Sequence, residues 1–225
     1  DKPDFVVSDK HQHASAHLAP AQPDLASTEH HLASDERLAP GERVIKLASL
    51  EATNEFGKNL AGALSKSLIV SRSPQVSSEN AAAIILLSGN LGAGKTTLVQ
   101  AIGRALQVKE VINSPTFTML GEYHSGLVPL YHFDFYRVRD MQDKEEQEIS
   151  LDMLAAEFDE ICQTRAVICI EWPEYFLVQG ENYLEQFDRL ALTLIIDDDE
   201  GRRLQLIAYG RLPQDWICST ISKQT

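Results

Sequence analysis

Gly89-Asn90-Leu91-Gly92-Ala93-Gly94-Lys95-Thr96 matches G-x-x-x-x-G-K-[ST] at every fixed position. Each fixed residue answers a demand of phosphate binding. Gly89 and Gly94 let the chain curl so that successive backbone N–H groups point at one anion. A helix opening at Lys95 adds unpaired N–H groups and the positive end of its dipole. Lys95 supplies a full positive charge to β and γ phosphates, and Thr96 offers a hydroxyl to Mg²⁺. With glycine at about 7% of residues, the pattern arises by chance in roughly one chain of this length in a hundred. A buried strand before it and an amphipathic helix after it make chance a still poorer explanation. The residues expected to hold the nucleotide are therefore Gly89 to Thr96 and the adjoining Thr97.

Phosphate chemistry in such a loop also needs an acid at the end of a neighbouring strand, to hold magnesium or orient water. Two positions qualify. Leu130-Tyr131-His132-Phe133-Asp134 ends on Asp134, and Val167-Ile168-Cys169-Ile170-Glu171 ends on Glu171. Both fall at a C-terminal strand edge, where open α/β sheets bind ligands. The plainer alternative is that one of them caps the next turn, and spacing alone does not separate their roles. Ser114-Pro115-Thr116-Phe117 lies between loop and acids, where Thr116 is a candidate γ-phosphate or magnesium sensor or part of an ordinary turn. Arg137 and Arg139 are candidates for phosphate or a partner's acidic group, with surface arginines the commoner explanation. Trp172, before Pro173, either shows an aromatic face to a ligand or packs. No N-K-x-D or T-K-x-D reads a guanine base, so ATP is favoured over GTP by that absence.

The elements that must position these groups are legible from periodicity. A short strand is expected at Arg43–Leu47, then a helix from Leu50 capped by Ser49, with Phe56, Leu60, Leu64 and Leu68 as its buried stripe. Residues 71–82 read as a polar linker. Ala83-Ile84-Ile85-Leu86-Leu87 has no polar interruption, as in a strand of a parallel sheet covered on both faces. The helix from Lys95 to about Gln107 buries Leu98, Ile102 and Leu106. Strands are expected at Phe117–Tyr123 and Leu127–Phe133 around a Ser125-Gly126 turn, and a helix over 142–158 that buries Leu151, Leu154 and Phe158. A strand at Ala166–Ile170 follows, then a hairpin of Leu190–Ile196 and Arg203–Ala208. The acidic turn 197–201 lacks the length and spacing of an EF-hand and reads as solvated. The expected fold is α/β and P-loop NTPase-like: a mostly parallel sheet, helices on both faces, and a C-terminal antiparallel hairpin.

Of 225 residues, 44% are hydrophobic, enough for one domain with a sizeable core. The net charge of −13 argues against gripping nucleic acid unaided, because backbone phosphates would be repelled. Cys162, Cys169 and Cys218 are scattered and lack C-x-x-C spacing, which disfavours a zinc or disulfide framework and suits a reducing cytoplasm. No apolar run approaches the roughly 20 residues of a membrane span. Residues 1–42 carry four prolines and five of the seven histidines without sustained periodicity. They read as a disordered tail ahead of a domain over 43–225, and irregular spacing disfavours a metal site in the histidine cluster. The sequence opens on Asp1, which leaves room for a leader ahead of it.

GNLGAGKTT, SPTFT, HFDFYR and IEWPE occur in this order across residues 89–174. Together they resemble the bacterial tRNA threonylcarbamoyladenosine biosynthesis ATPase family TsaE, also called YjeE, and the likeness extends from about Val44 to Ala208. The resemblance implies a switch at Thr116, Asp134 and Glu171 around magnesium and the γ-phosphate, and a role for Trp172 beside them. It implies an ATPase that is slow alone and acts with the TsaB–TsaD pair, in which TsaD transfers threonylcarbamoyl to an adenosine beside the tRNA anticodon. tRNA would then be reached through the partners. Asn90 replaces the family's usual aspartate, and the linker at 71–82 and the segment around 140–148 are enlarged. Two other readings share the loop: a small-molecule or nucleoside kinase, and a nucleotide sensor without turnover.

Overall fold

The computed structural model describes residues 43–70, 81–197 and 201–210. The histidine cluster, most of the 71–82 linker, part of the acidic turn and Cys218 lie outside them. A seven-stranded sheet runs in the order β1 (Arg43–Leu47), β9 (Arg202–Tyr209), β8 (Arg189–Ile196), β2 (Ala83–Ser88), β5 (Val167–Glu171), β4 (Leu130–Asp134), β3 (Leu120–Tyr123). The central four strands, β8, β2, β5 and β4, are mutually parallel, while β9 and β3 pair antiparallel on either side. The fold is α/β, as expected, with β8–β9 as its C-terminal hairpin.

Side-chain alternation assigns the two faces. Ile85 and Leu87 of β2, Val167 and Cys169 of β5, and Leu130 of β4 join one core with α1 (Leu50–Val70) and α2 (Lys95–Ala105). Ile84, Leu86, Ile168, Ile170, Tyr131 and Phe133 point the other way, toward α3 (Lys144–Cys162). The stripe of Phe56, Leu60, Leu64 and Leu68 is buried as its period of four requires. Ser49 Oγ accepts from Ala52 N at 3.2 Å, which caps α1. Asp143 does the same for α3, accepting from Glu145 N and Glu146 N. At Gly57 the two N-terminal helices come so close that a Cβ would lie 2.6 Å from Ala101 Cβ. The α3 face is aromatic: Phe158 meets Phe133, Phe176 and Phe187 edge-on.

Several boundaries differ from the sequence reading. The strand expected from Phe117 begins only at Leu120, because Met119 N turns back to Pro115 O and Met119 takes φ 60°, which leaves Phe117 82% exposed. The next strand runs Leu130–Asp134 rather than Leu127–Phe133, since Leu127 N bonds Leu106 O outside the ladder. Helix α2 stops at Ala105, two residues early, because Gln107 adopts φ 65°. Helix α3 begins at Lys144 after its Asp143 cap and continues to Cys162, beyond the expected Phe158. A small β6–β7 hairpin (Leu177–Val178, Glu181–Asn182) and short 3-10 turns went unexpected, being too short for any period. Among the described residues no helix is long and apolar enough to cross a membrane.

Candidate functional site

Strand register decides which side chains meet. In β5, Glu171 pairs with Leu87 of β2 on one side and Asp134 of β4 on the other. Parallel strands stand about 4.8 Å apart, so both acids end up beside the loop that leaves β2 at Gly89. Glu171 has the parity of Val167 and Cys169, and Asp134 that of Leu130, so both acids share the α2 face. His132, two residues before Asp134, shares it too. Gly89 takes φ +130°, and a Cβ there would run into the carbonyl of Leu194 in β8. Glycine is required where the loop departs.

Lys95 is buried, and its Nζ donates to Gly89 O at 2.6 Å and Asn90 O at 3.0 Å. The same ammonium lies 3.9 Å from the centre of the Trp172 ring, a cation–π contact. Burial pushes the Lys95 pKa down, and the negative charges of Glu171, Glu174 and Asp134 counter it. Trp172 reaches this position from a left-handed backbone, φ 57° and ψ 49°, with Pro173 fixing the turn behind it. Such a conformation costs about 1–3 kcal/mol for a non-glycine residue. Its N–H bonds Leu87 O at 3.2 Å and its ring packs on Tyr136 at 5.1 Å.

Thr96 Oγ1 donates to Glu171 Oε1 at 2.7 Å, tying the first turn of α2 to the end of β5. His132 Nε2 meets the same oxygen at 2.9 Å from within β4. Asp134 binds the Ser-Pro-Thr turn: Oδ2 accepts from Ser114 Oγ and, at 2.8 Å, from Thr116 Oγ1, while Oδ1 accepts from Tyr136 N at 3.0 Å. Thr116 is thus one member of a latch that includes Ser114. Arg137 holds the same turn from outside, donating to Phe117 O at 3.2 Å. Arg139 is engaged by Asp140 and Tyr136. Within the loop, Ala93 is buried, Gly94 caps α2 at φ 105°, and Asn90, Leu91 and Gly92 are exposed. Thr97 follows half-buried.

The sequence-expected groups thus converge on one sheet edge. Two neighbours were missed. His132 carried a signal, a polar residue inside an apolar strand two positions before Asp134, but hid in the hydrophobic run. Glu174 is part-buried with Oε2 lacking a hydrogen-bond partner, and burial raises its pKa against the pull of Lys95. Nothing in the sequence singled it out beyond its place in IEWPE.

The family model for the threonylcarbamoyl adenosine biosynthesis protein TsaE matches residues 47–204. The chain is 40% identical over 139 residues to the tRNA threonylcarbamoyladenosine biosynthesis protein TsaE of Nostoc sp., covering 62% of this chain and 78% of that protein. Against the protein of the same name from Bacillus subtilis it is 32% identical over 140 residues, with the same coverage of each. The crystal structure of Bacillus subtilis YdiB superposes with a TM-score of 0.56 at 22% identity, covering 82% of this chain and 97% of that one, a likeness of fold. The match over residues 47–204, spanning every group at this sheet edge, means that the chain belongs to the TsaE family of threonylcarbamoyl adenosine biosynthesis proteins.

Proposed function

We propose that this chain is a magnesium-dependent ATPase acting in threonylcarbamoyladenosine modification of tRNA together with the TsaB–TsaD pair. The observation that carries the reading is the 2.7 Å bond between Thr96 Oγ1 and Glu171 Oε1. It joins the loop threonine to an acid on the adjacent strand, the pairing a phosphate-bound metal needs. Its relatives' names supply the pathway.

The residues fit the ligands. Lys95 is a buried cation whose hydrogen bonds go to two neutral carbonyls, so an incoming phosphate offers it a better partner. Gly89, Asn90, Leu91, Gly92, Ala93 and Gly94 would wrap the phosphates with backbone N–H groups, and the first N–H groups of α2, at Lys95, Thr96 and Thr97, would complete the cradle. Among the described residues no three His, Cys, Asp or Glu are placed to hold a metal. Magnesium keeps waters and phosphate oxygens and needs few protein ligands. Thr96, Asp134 and Glu171 would supply hard oxygens for it. Magnesium when bound neutralises charge that develops on the phosphates.

Glu171 is the group assigned to orient water, with Asp134 in support. Ser114 and Thr116 hold Asp134 in place, and a switch at this turn would free it. Trp172 keeps Lys95 over the loop. ADP would be the product of hydrolysis. Arg137 and Arg139, a thin basis for the arginine-bearing lid a kinase needs, are each engaged by neighbours, which favours water as acceptor. A cytoplasmic setting goes with this pathway.

The test is ATP turnover by the protein alone and with the TsaB–TsaD pair, with Lys95→Ala as control. Turnover that rises only with the pair, and only with Lys95 present, is expected. Phosphate transfer to a nucleoside or sugar instead of water would overturn the reading in favour of a kinase.

A further inference from the structure

Glu171 Oε1 accepts from two donors of different character. Thr96 is half-buried at the start of α2, and the proposed function gives its hydroxyl a second task at the metal. His132 has no exposed surface and sits inside β4, in register with Gly121 of β3 and Cys169 of β5. With its backbone held from both sides, it stays where it is whatever the loop does.

His132 is an expensive residue at that position. Its Nε2 reaches Glu171, but its buried Nδ1 has no hydrogen-bond partner. A neutral imidazole has one donor nitrogen and one acceptor. A carboxylate oxygen only accepts, so Nε2 is the donor in this contact, and Nδ1 is left without a partner whether or not it carries a proton. An unsatisfied buried polar atom is destabilising, a penalty an apolar side chain would not carry. Leu130 of β4 and Cys169 of β5, on the same face, show what the core accepts there.

We propose that His132 is the positioning residue for Glu171: Nε2–H holds Oε1 so that the carboxylate keeps one orientation when Thr96 lets go. The inference rests on the proposed ATPase reading for its consequence, and on the buried contact alone for its geometry. A purely structural histidine would affect stability. A positioning histidine affects turnover while nucleotide affinity stays.

Two measurements test it. In nitrogen-15 labelled protein, long-range proton–nitrogen spectra report the His132 tautomer without any turnover. The Nε2–H form, slow to exchange with solvent, is expected in the wild type and in Thr96→Val. An Nδ1–H form, or fast exchange on losing the Thr96 hydroxyl, overturns the proposal even if ATP hydrolysis is robust. The second is turnover with the TsaB–TsaD pair beside Mg–ATP affinity. His132→Phe should lose about 10- to 100-fold in kcat, as expected of a misaimed catalytic group, with affinity kept within about twofold. His132→Gln, which restores a donor at similar reach, should recover most of that loss. In a Glu171→Gln background His132→Phe should cost nothing further. Equal loss in that background, or no rescue by glutamine, contradicts the proposal. If the wild type itself does not hydrolyse ATP, the ATPase reading fails and the spectra still decide the geometry.

Discussion

Lys95 and Glu174 show how one site sets opposite demands on two buried charges. Burial lowers the Lys95 pKa and raises that of Glu174, and the two partly compensate each other. For Glu174 the folded pKa lies above its unfolded value near 4.5. The folded state therefore binds the extra proton, and the stability this group contributes is full below the ordinary carboxylate range. It is lost as pH rises through the raised folded value. Glutamine does not titrate, so Glu174→Gln should gain in melting temperature relative to wild type on going from pH 5 to pH 8. A difference that shrinks with rising pH would reverse the sign argued for this carboxylate. Legibility at this scale followed the backbone. The glycines and Lys95-Thr96 were readable because phosphate binding fixes their spacing in sequence. His132 and Glu174 were not, because what marks them is an orphaned atom and a partner 39 or 79 positions away in the chain, seen only once the strands are in register.

At the scale of elements, the Ser-Pro-Thr turn and helix α3 behave differently. The sequence places Ser-Pro-Thr in a loop but starts a strand at once from Phe117, since Phe-Thr-Met favours extended structure. The turn's hydroxyls instead bond Asp134, a long-range competition that local propensity does not register. Removing both hydroxyls, in Ser114→Ala with Thr116→Val, should raise hydrogen exchange over 113–119 by roughly tenfold, the effect of a hydrogen bond worth about 1–1.5 kcal/mol. Unchanged protection would mean that Arg137 and the Pro115–Met119 turn hold the segment without Asp134. Helix α3, by contrast, was legible through Leu151, Leu154 and Phe158, and its aromatic core lies on the sheet face opposite the loop. Phe158→Ala should cost about 3–5 kcal/mol. At roughly 2–4 °C per kcal/mol, melting should fall by about 6–20 °C. Mg–ATP affinity measured well below the melt should stay within about twofold. An equal loss of affinity would show that the α3 face shapes the site.

The whole molecule brings the acids of two parallel strands to a loop built for anions, on a chain of net charge −13. Charge near the loop is local, from Lys95 and the N-terminus of α2, while the surface as a whole repels polyanions. Labelled tRNA should therefore bind this chain alone more weakly than about 10⁻⁴ M at physiological salt, in fluorescence anisotropy. Micromolar binding would require a basic surface that the charge balance does not suggest. The sheet order itself was only partly readable: periodicity marked the strands, but the placement of β5 between β2 and β4 comes from pairing. That placement is what sets Glu171 beside Thr96. The most direct test of the central claim is calorimetric titration of Mg–ATP into the wild type and Lys95→Ala. Saturable binding of one nucleotide per chain is expected, weakened about 30-fold or more by the substitution, the worth of a charge-assisted contact of roughly 2 kcal/mol. Equal affinity in the two proteins would contradict it, because the nucleotide would then be held somewhere other than the loop from Gly89 to Thr96.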